Sequence, residues 1–510
     1  MNAEILGQVV QNLLSFQTIL ALFLGVFGGI IIGALPGLSA TMAVALLVPV
    51  TFGMEPVAGL TMLTAIYTSA LYGGSISAIL IHTPGTPASA ASSLDGYQMT
   101  LKGQGAKAIG MATISSMIGG TVSALALLFL APPLSKISLA FSAPEYFLIA
   151  VFGLTIIGSL AAKSMVKGLA AGVIGLLIGA IGVDILTGYP RFTFGSMSLE
   201  SGIALVPAMI GLFSLSQVMI QAENRGKKQK KISSDAMSGK VIPTKKEFKT
   251  VWVSILRSSG IGTFVGMLPG AGGDIGSWVG YNEAKRFSKN KEKFGTGYIE
   301  GVAAPESANN AVTGGALIPL LTLGIPGSST TAVLLGGLMI QGLVPGHELF
   351  TTHANITYSV IFGFIIASLL LGVIGLLGAR FFVKISGVSE KLLAPIIIGL
   401  CVVGSYAINN NIFDVWVMVV FGVIGYFMRK TGFHPAPVIL GMILGPIAEN
   451  GLRQSMLMAK TDLLTYYFTR PISVVLIALT VISLFSPLVM KWWEKRNATN
   501  LKDTQETKIS

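Results

Sequence analysis

Apolar runs separated by short polar or basic stretches recur along the whole chain, at the length of about 20 residues that a helix needs to cross a bilayer. They lie near 16–34, 40–62, 107–131, 145–161, 168–186 and 201–221, and again near 251–268, 312–324, 329–345, 355–379, 393–408, 411–428, 434–448 and 471–490. Several are too short, or too interrupted by Gly and Pro, to be ordinary spans. The pattern predicts an all-α polytopic membrane protein of about 12 transmembrane helices with broken or re-entrant segments, because lipid admits no unpaired backbone.

The two series resemble each other in order. Gly33-Ala34-Leu35-Pro36-Gly37 answers Gly266-Met267-Leu268-Pro269-Gly270, and Gly73-Gly74 with Pro84-Gly85-Thr86 answers Gly314-Gly315 with Pro326-Gly327-Ser328. Gly153-Leu154 and Gly158-Ser159 return as Gly399-Leu400 and Gly404-Ser405, and Gly172 to Gly175 returns as Gly422 to Gly425. Charge changes sides between most of the matched loops, Lys136 being the exception, so the simplest account is two inverted-topology repeats. The expected division is residues 1–222 and 251–490 as transmembrane repeats, joined by a basic cytoplasmic linker at 223–250 and followed by a polar cytoplasmic tail at 491–510.

Composition supports the membrane reading: 52% of residues are hydrophobic and 11% charged, against roughly a quarter charged in soluble chains. The net charge of +12 raises nucleic acid as a partner, but the basic residues sit in blocks between apolar runs. Arg225, Lys227, Lys228, Lys230, Lys231, Lys240, Lys245, Lys246 and Lys249 crowd one loop, which the positive-inside rule assigns to the cytoplasm. That leaves the lipid bilayer as the expected partner and no nucleic acid, with the N-terminus outside and the C-terminus cytoplasmic. The start at Met1 to Glu4 lacks a basic stretch, so the first apolar run reads as a retained helix and not as a cleaved signal. Cys401 is the single cysteine and offers neither disulfide nor metal spacing.

Candidate chemistry gathers at the helix breaks, where unpaired N–H groups and the positive end of a half-helix make an anion site without fixed charge. One pair of breaks is Pro36-Gly37, followed by Ser39 and Thr41, and Pro269-Gly270, followed by Asp274 and Ser277. Each reads either as a plain kink or as a loop for substrate or ion, and the small polar residues after it favour the second. The other pair is Thr83-Pro84-Gly85-Thr86, after Gly74-Ser75, and Pro326-Gly327-Ser328. Between the runs lie Glu306, Ser307, Asn309 and Asn310. Glu306 or Asp274 is either a coupling group for a proton or Na⁺, or, for Glu306, a surface helix cap. Asp95 reads as a turn or cap. His82, His347, His353 and His434 are scattered without ligand spacing, so no metal site is expected. HExxH, GxSxG and Walker A patterns are missing, which predicts no enzyme and no cofactor beyond a coupling ion.

Taken together, these motifs resemble the large membrane subunit of the tripartite tricarboxylate transporters, the TctA family. The likeness rests on Gly33 to Thr41, Tyr72-Gly73-Gly74-Ser75 with Thr83 to Thr86, Leu268 to Asp274, Pro305 to Asn310 and Gly324 to Gly327. It implies a secondary transporter in a bacterial inner membrane, with a small TctB-like membrane subunit and an extracytoplasmic TctC-like solute-binding protein. It further implies import of citrate or related organic carboxylates, driven by Na⁺ or protons. With the repeats, it predicts alternating access around the paired Pro-Gly breaks.

Overall fold

The computed structural model describes residues 3–35, 37–160, 165–184, 187–223, 239–268, 272–385, 390–459 and 462–484. Pro36, Pro269, Gly270, most of the basic linker and the tail from 491 lie outside these. The first part of the chain forms α1 (Ala3–Leu14), α2 (Phe16–Ala34), α3 (Ala40–Phe52), α4 (Pro56–Ile81), α5 (Ala90–Leu101), α6 (Gly105–Ser135), α7 (Ala143–Leu160), α8 (Met165–Gly179), α9 (Met197–Glu200), α10 (Leu205–Met209) and α11 (Ser216–Glu223). The second part forms α12 (Lys245–Met267), α13 (Gly272–Phe287), α14 (Glu300–Leu323), α15 (Ser329–Ile340), α16 (His347–Phe350), α17 (Ala354–Ile385), α18 (Glu390–Asn409), α19 (Ile412–Lys430), α20 (Ala436–Met458) and α21 (Leu463–Phe468), then α22 (Pro471–Leu484). Six helical stretches among the described residues are long and apolar enough to cross a membrane. The chain is an all-α polytopic membrane protein; among the described residues one antiparallel ribbon pairs Gly182–Val183 with Pro190–Arg191.

Local chemistry sets many of these limits. Ser15 caps α2 by accepting the Thr18 N–H at 3.2 Å, and Thr244 and Glu247 form a reciprocal capping box at the start of α12. Gly324, in the left-handed region at φ 71°, ends α14. A π-helical turn, Ile210–Leu215, joins α10 to α11. Three sequence expectations shift. The run at 40–62 is two helices, because Gly53 to Glu55 break it and Pro56 starts α4. The run at 168–186 stops as a helix at Gly179 and gives way to the ribbon. Residues 300–311, read as an interval between runs, are the first half of α14.

Glycine contacts fix how the helices run. A Cβ at Gly25, Gly29 or Gly33 of α2 would meet Met62, Ile66 and Ala70 of α4 in turn, so these helices are parallel and nearly touch by backbone. Only residues 53–55 separate α3 from α4, and the Cβ position of Gly59 lies 3.1 Å from Thr51. Therefore α3 runs back toward the side from which α2 came, and α2 and α3 form a helical hairpin. The second part repeats this arrangement. Gly262 and Gly266 of α12 face Ala308 and Val312 of α14 in parallel, while Gly273 and Gly280 of α13 face Asn309 and the Ala304–Ala308 stretch in the opposite sense.

Helices α4 and α14 are buried along almost their full length and cross antiparallel, with Thr68 bonded to Asn310 and Ser75 to Glu306. The two hairpins therefore point in opposite directions. Around this centre, Leu369, Val373, Leu377 and Phe381 form an exposed stripe at four-residue spacing on α17, the face a spanning helix turns to lipid.

Candidate solute and ion site

Four helix breaks converge on the α4/α14 crossing. At the first hairpin tip, Leu35 leaves α2 at φ −78°, ψ 121° with its N–H on the Ile32 carbonyl, Gly37 takes φ +82°, and Ser39 caps α3 by accepting the Met42 N–H. At the second, Leu268 leaves α12 at φ −78°, ψ 116° with its N–H on the Val265 carbonyl, and Gly272 takes φ +60°. The third break follows His82, left-handed at φ 55°: the chain doubles back so that the Gly85 N–H donates to the Gly74 carbonyl at 3.1 Å. Thr86 and Ser89 share a 2.7 Å hydroxyl bond there. The fourth follows Gly324, where Ser328 and Thr331 cap α15 reciprocally. Side chains at Gly85 and Gly327 would strike matching atoms, their Cβ positions lying 2.5 Å from the Gly33 carbonyl oxygen and 2.9 Å from that of Gly266.

The tips also meet across the halves. Thr41 and Thr330 share a 2.8 Å hydroxyl bond, and the Tyr67 hydroxyl lies 3.4 Å from Ser328 Oγ. On the other side, the Cβ position of Gly273 is 3.1 Å from the Ala88 Cβ and 2.7 Å from Asn309 Oδ1. Asn309 is 0% exposed, yet neither end of its amide has a partner; Asn310 Nδ2 and Ser277 Oγ are likewise unpartnered. Buried amides are nearly always bonded, and this unpartnered one stands beside the N-terminus of α13. Asp274, in the first turn of α13, is exposed.

Glu306 is neither a surface group nor a cap. It is 0% exposed in the second turn of α14. Ser75 donates to Oε1 at 2.5 Å, Ser92 also donates to Oε1, and Ser116 donates to Oε2 at 3.1 Å. Four helices thus converge on one carboxyl group.

Other predicted residues do different work. Ser307 turns to α12, donating to the Ile255 carbonyl at 2.8 Å and sharing a bond with Ser259. The Thr83 hydroxyl donates to the Ile81 carbonyl, and Gly74 makes room for Thr86 and Ser89. Asp95 is not a turn residue: buried within α5, it accepts the N–H groups of Gly295, Gly297 and Tyr298 and the Tyr281 hydroxyl. It fastens α5, and so Ser92, to the loop before α14. Asp95→Ala leaves those donors facing a void and is expected to lower stability by about 3 kcal/mol, read as a fall in thermal unfolding temperature, whereas Glu4→Ala at an exposed end should change nothing.

Sequence reasoning missed Tyr67, Thr68, Ser92 and Ser116, whereas Thr330 lies in the hydroxyl-rich stretch after Pro326-Gly327. The signal available was the run of hydroxyls at helical spacing in Thr61 to Ser77, too polar for a lipid-facing helix. It also missed the outer support of the first tip: Gln217 Nε2 donates to the Gly37 carbonyl at 2.9 Å, and Arg429 holds Gln217 Oε1 at 3.1 Å.

A family model described as the tripartite tricarboxylate transporter TctA family matches residues 19–440, a span that holds all four breaks. An uncharacterized 52.8 kDa protein in the TAR-I ttuC' 3' region of Agrobacterium vitis is 38% identical over 480 residues, covering 92% of this chain and 94% of the relative. An uncharacterized protein in the TAR-II ttuC' 3' region of the same organism is 38% identical over 242 residues, 48% of this chain and 100% of the relative. No solved structure matches the chain.

Proposed function

The chain belongs to the tripartite tricarboxylate transporter TctA family, a family of transporters and not of enzymes, and on that premise we propose that it is a large permease subunit importing a di- or tricarboxylate. The observation that carries this reading is the unpartnered, fully buried Asn309 amide, set where the tips of the two hairpins converge. Donors at mid-depth receive an anion without fixed cations, whose burial in lipid costs at least about 2.5–3.5 kcal/mol each.

The solute lies between the tips, with Asn309, Tyr67, Ser39, Thr41 and Ser328 on its sides and Asp274 at its edge. The matched cap geometry of Leu35 and Leu268, and the matched contacts of Gly85 and Gly327, support an inverted duplication, with alternating access as one unit moves against the other. A solute-binding protein and a small membrane subunit complete the system in the inner membrane. A Na⁺ or proton gradient drives it, with the N-terminus outside and the basic linker and C-terminus in the cytoplasm.

Uptake of labelled citrate and a panel of carboxylates from outside, under imposed gradients, by proteoliposomes holding the chain with its small subunit and binding protein tests this. One carboxylate is expected to accumulate. Pro84-Gly85→Ala-Ala and Pro326-Gly327→Ala-Ala are each expected to abolish that accumulation with insertion unchanged. Equilibration without a gradient, or full transport by both variants, overturns the proposal.

A further inference from the structure

We propose that Glu306 is a proton-carrying group, a carboxyl that gains and loses one proton during each transport cycle; this rests on the transporter reading above and names its coupling ion. Three observations carry it. Glu306 is wholly buried at the crossing of the two central helices, and among the described residues no cation is paired with it. A structural carboxylate at that depth is usually matched by a basic partner; this one has only hydroxyls. Second, three serine hydroxyls donate directly to the two carboxylate oxygens, the arrangement of a group held by hydrogen bonds. Third, hydroxyls can reverse. With Ser75 and Ser92 both donating to Oε1 and Ser116 to Oε2, the group is arranged as a carboxylate. When a proton binds to one oxygen, the new O–H must donate, and one serine must turn from donor to acceptor.

Protonation therefore rearranges contacts between α14 and α4, α5 or α6, one turn from Asn309 and Asn310. The bond formed is O–H on a carboxylate oxygen, the proton comes from the aqueous side then open and leaves to the other, and nothing is oxidised or reduced. Among the described residues, none of the neighbouring charged and titratable groups is hydrogen-bonded to Glu306. Tyr72 of α4 is bonded to Thr113; Asp95 of α5 is held by backbone N–H groups and by Tyr281 of α13; Lys107 of α6 pairs with Glu247 of α12. Arg257 of α12 lies over Phe287 with its Nε buried and unbonded, and Glu300 of α14 accepts from Ser254 and Ser288. Asp274 sits at the tip of α13.

Infrared difference spectroscopy of the full chain in bilayers, across about pH 4 to 9, reads the carboxyl without any solute. Wild type is expected to show a protonated-carboxyl band that fades as pH rises and is missing in Glu306→Gln. If Glu306→Gln does not fold, Ser116→Ala is expected to shift the frequency of that band. A band that never titrates, or that neither variant alters, overturns the assignment.

In proteoliposomes with both partner subunits and labelled citrate as probe, Glu306→Gln is expected to keep citrate counterflow within about twofold. It should lose proton-driven accumulation by at least about tenfold, the scale of one proton's worth of coupling. Proton-driven accumulation surviving in the variant overturns the proposal, as does a Na⁺-driven accumulation that only the wild type supports. If wild type carries no citrate or other carboxylate, the transporter reading fails, and the infrared titration still decides the chemistry of Glu306.

Discussion

Asn309→Leu is expected to remove solute binding while leaving the folded protein intact. The amide has no hydrogen bond to lose, so an apolar side chain of similar volume is close to neutral for stability, and removing a buried unpartnered polar group can even stabilise. For the solute the balance is opposite: amide bonds to a carboxylate contribute about 1.5–3 kcal/mol each, so binding should weaken by roughly 10- to 100-fold. Equilibrium binding of the transported carboxylate, measured beside the thermal unfolding temperature, separates the two effects. Unchanged binding would remove Asn309 from the site; a large fall in unfolding temperature would make it a packing residue instead.

Gly33→Val and Gly266→Val are expected to prevent assembly altogether. Even a single Cβ at Gly33 would stand 2.2 Å from the Ala70 carbonyl oxygen, and one at Gly266 2.5 Å from that of Val312. The obstacle in each case is the backbone of a packed helix, which cannot rotate aside as a side chain would. Overpacking a core usually costs about 1–3 kcal/mol, and a branched side chain at a backbone crossing exceeds that. The internal control is Gly28→Val. Gly28 lies in the same helix and a Cβ there meets nothing within 4 Å, so this variant should express as wild type. Monodisperse yield on size-exclusion chromatography reads all three; normal yield from Gly33→Val would mean that α2 and α4 are free to separate.

The parts of this architecture visible in the sequence are those that lipid imposes. Helices such as α17 announce themselves because their outer faces are apolar throughout, and Pro-Gly pairs mark the breaks because few other residues end a helix inside an apolar run. The central helices were harder to read for the converse reason. Helix α4 carries Thr61, Thr64, Thr68, Ser69, Ser75 and Ser77, and α14 carries Glu306, Asn309 and Asn310; surrounded by protein, they have no need of a hydrophobic exterior, so they look like intervals between spans. The direction of a hairpin is not written locally at all. That α3 turns back follows from the parallel packing of α2 on α4, a tertiary fact. Asp95 shows the same limit: a buried acceptor for a loop about 200 residues away cannot be told from a turn-forming aspartate by its neighbours in sequence.

The bond between Thr41 and Thr330 has a consequence for how the chain is made. The two residues are 289 positions apart, and a ribosome adding about 5–20 residues per second takes roughly 15–60 s to cover that distance. Throughout that interval the first hairpin has left the ribosome with its polar tip lacking the segment that receives it, since the partner strand of the bond has yet to be synthesised. The hydroxyl of Thr41 therefore meets its cross-half partner only after α15 has been made, so the closed arrangement of the tips is among the last contacts the chain can form.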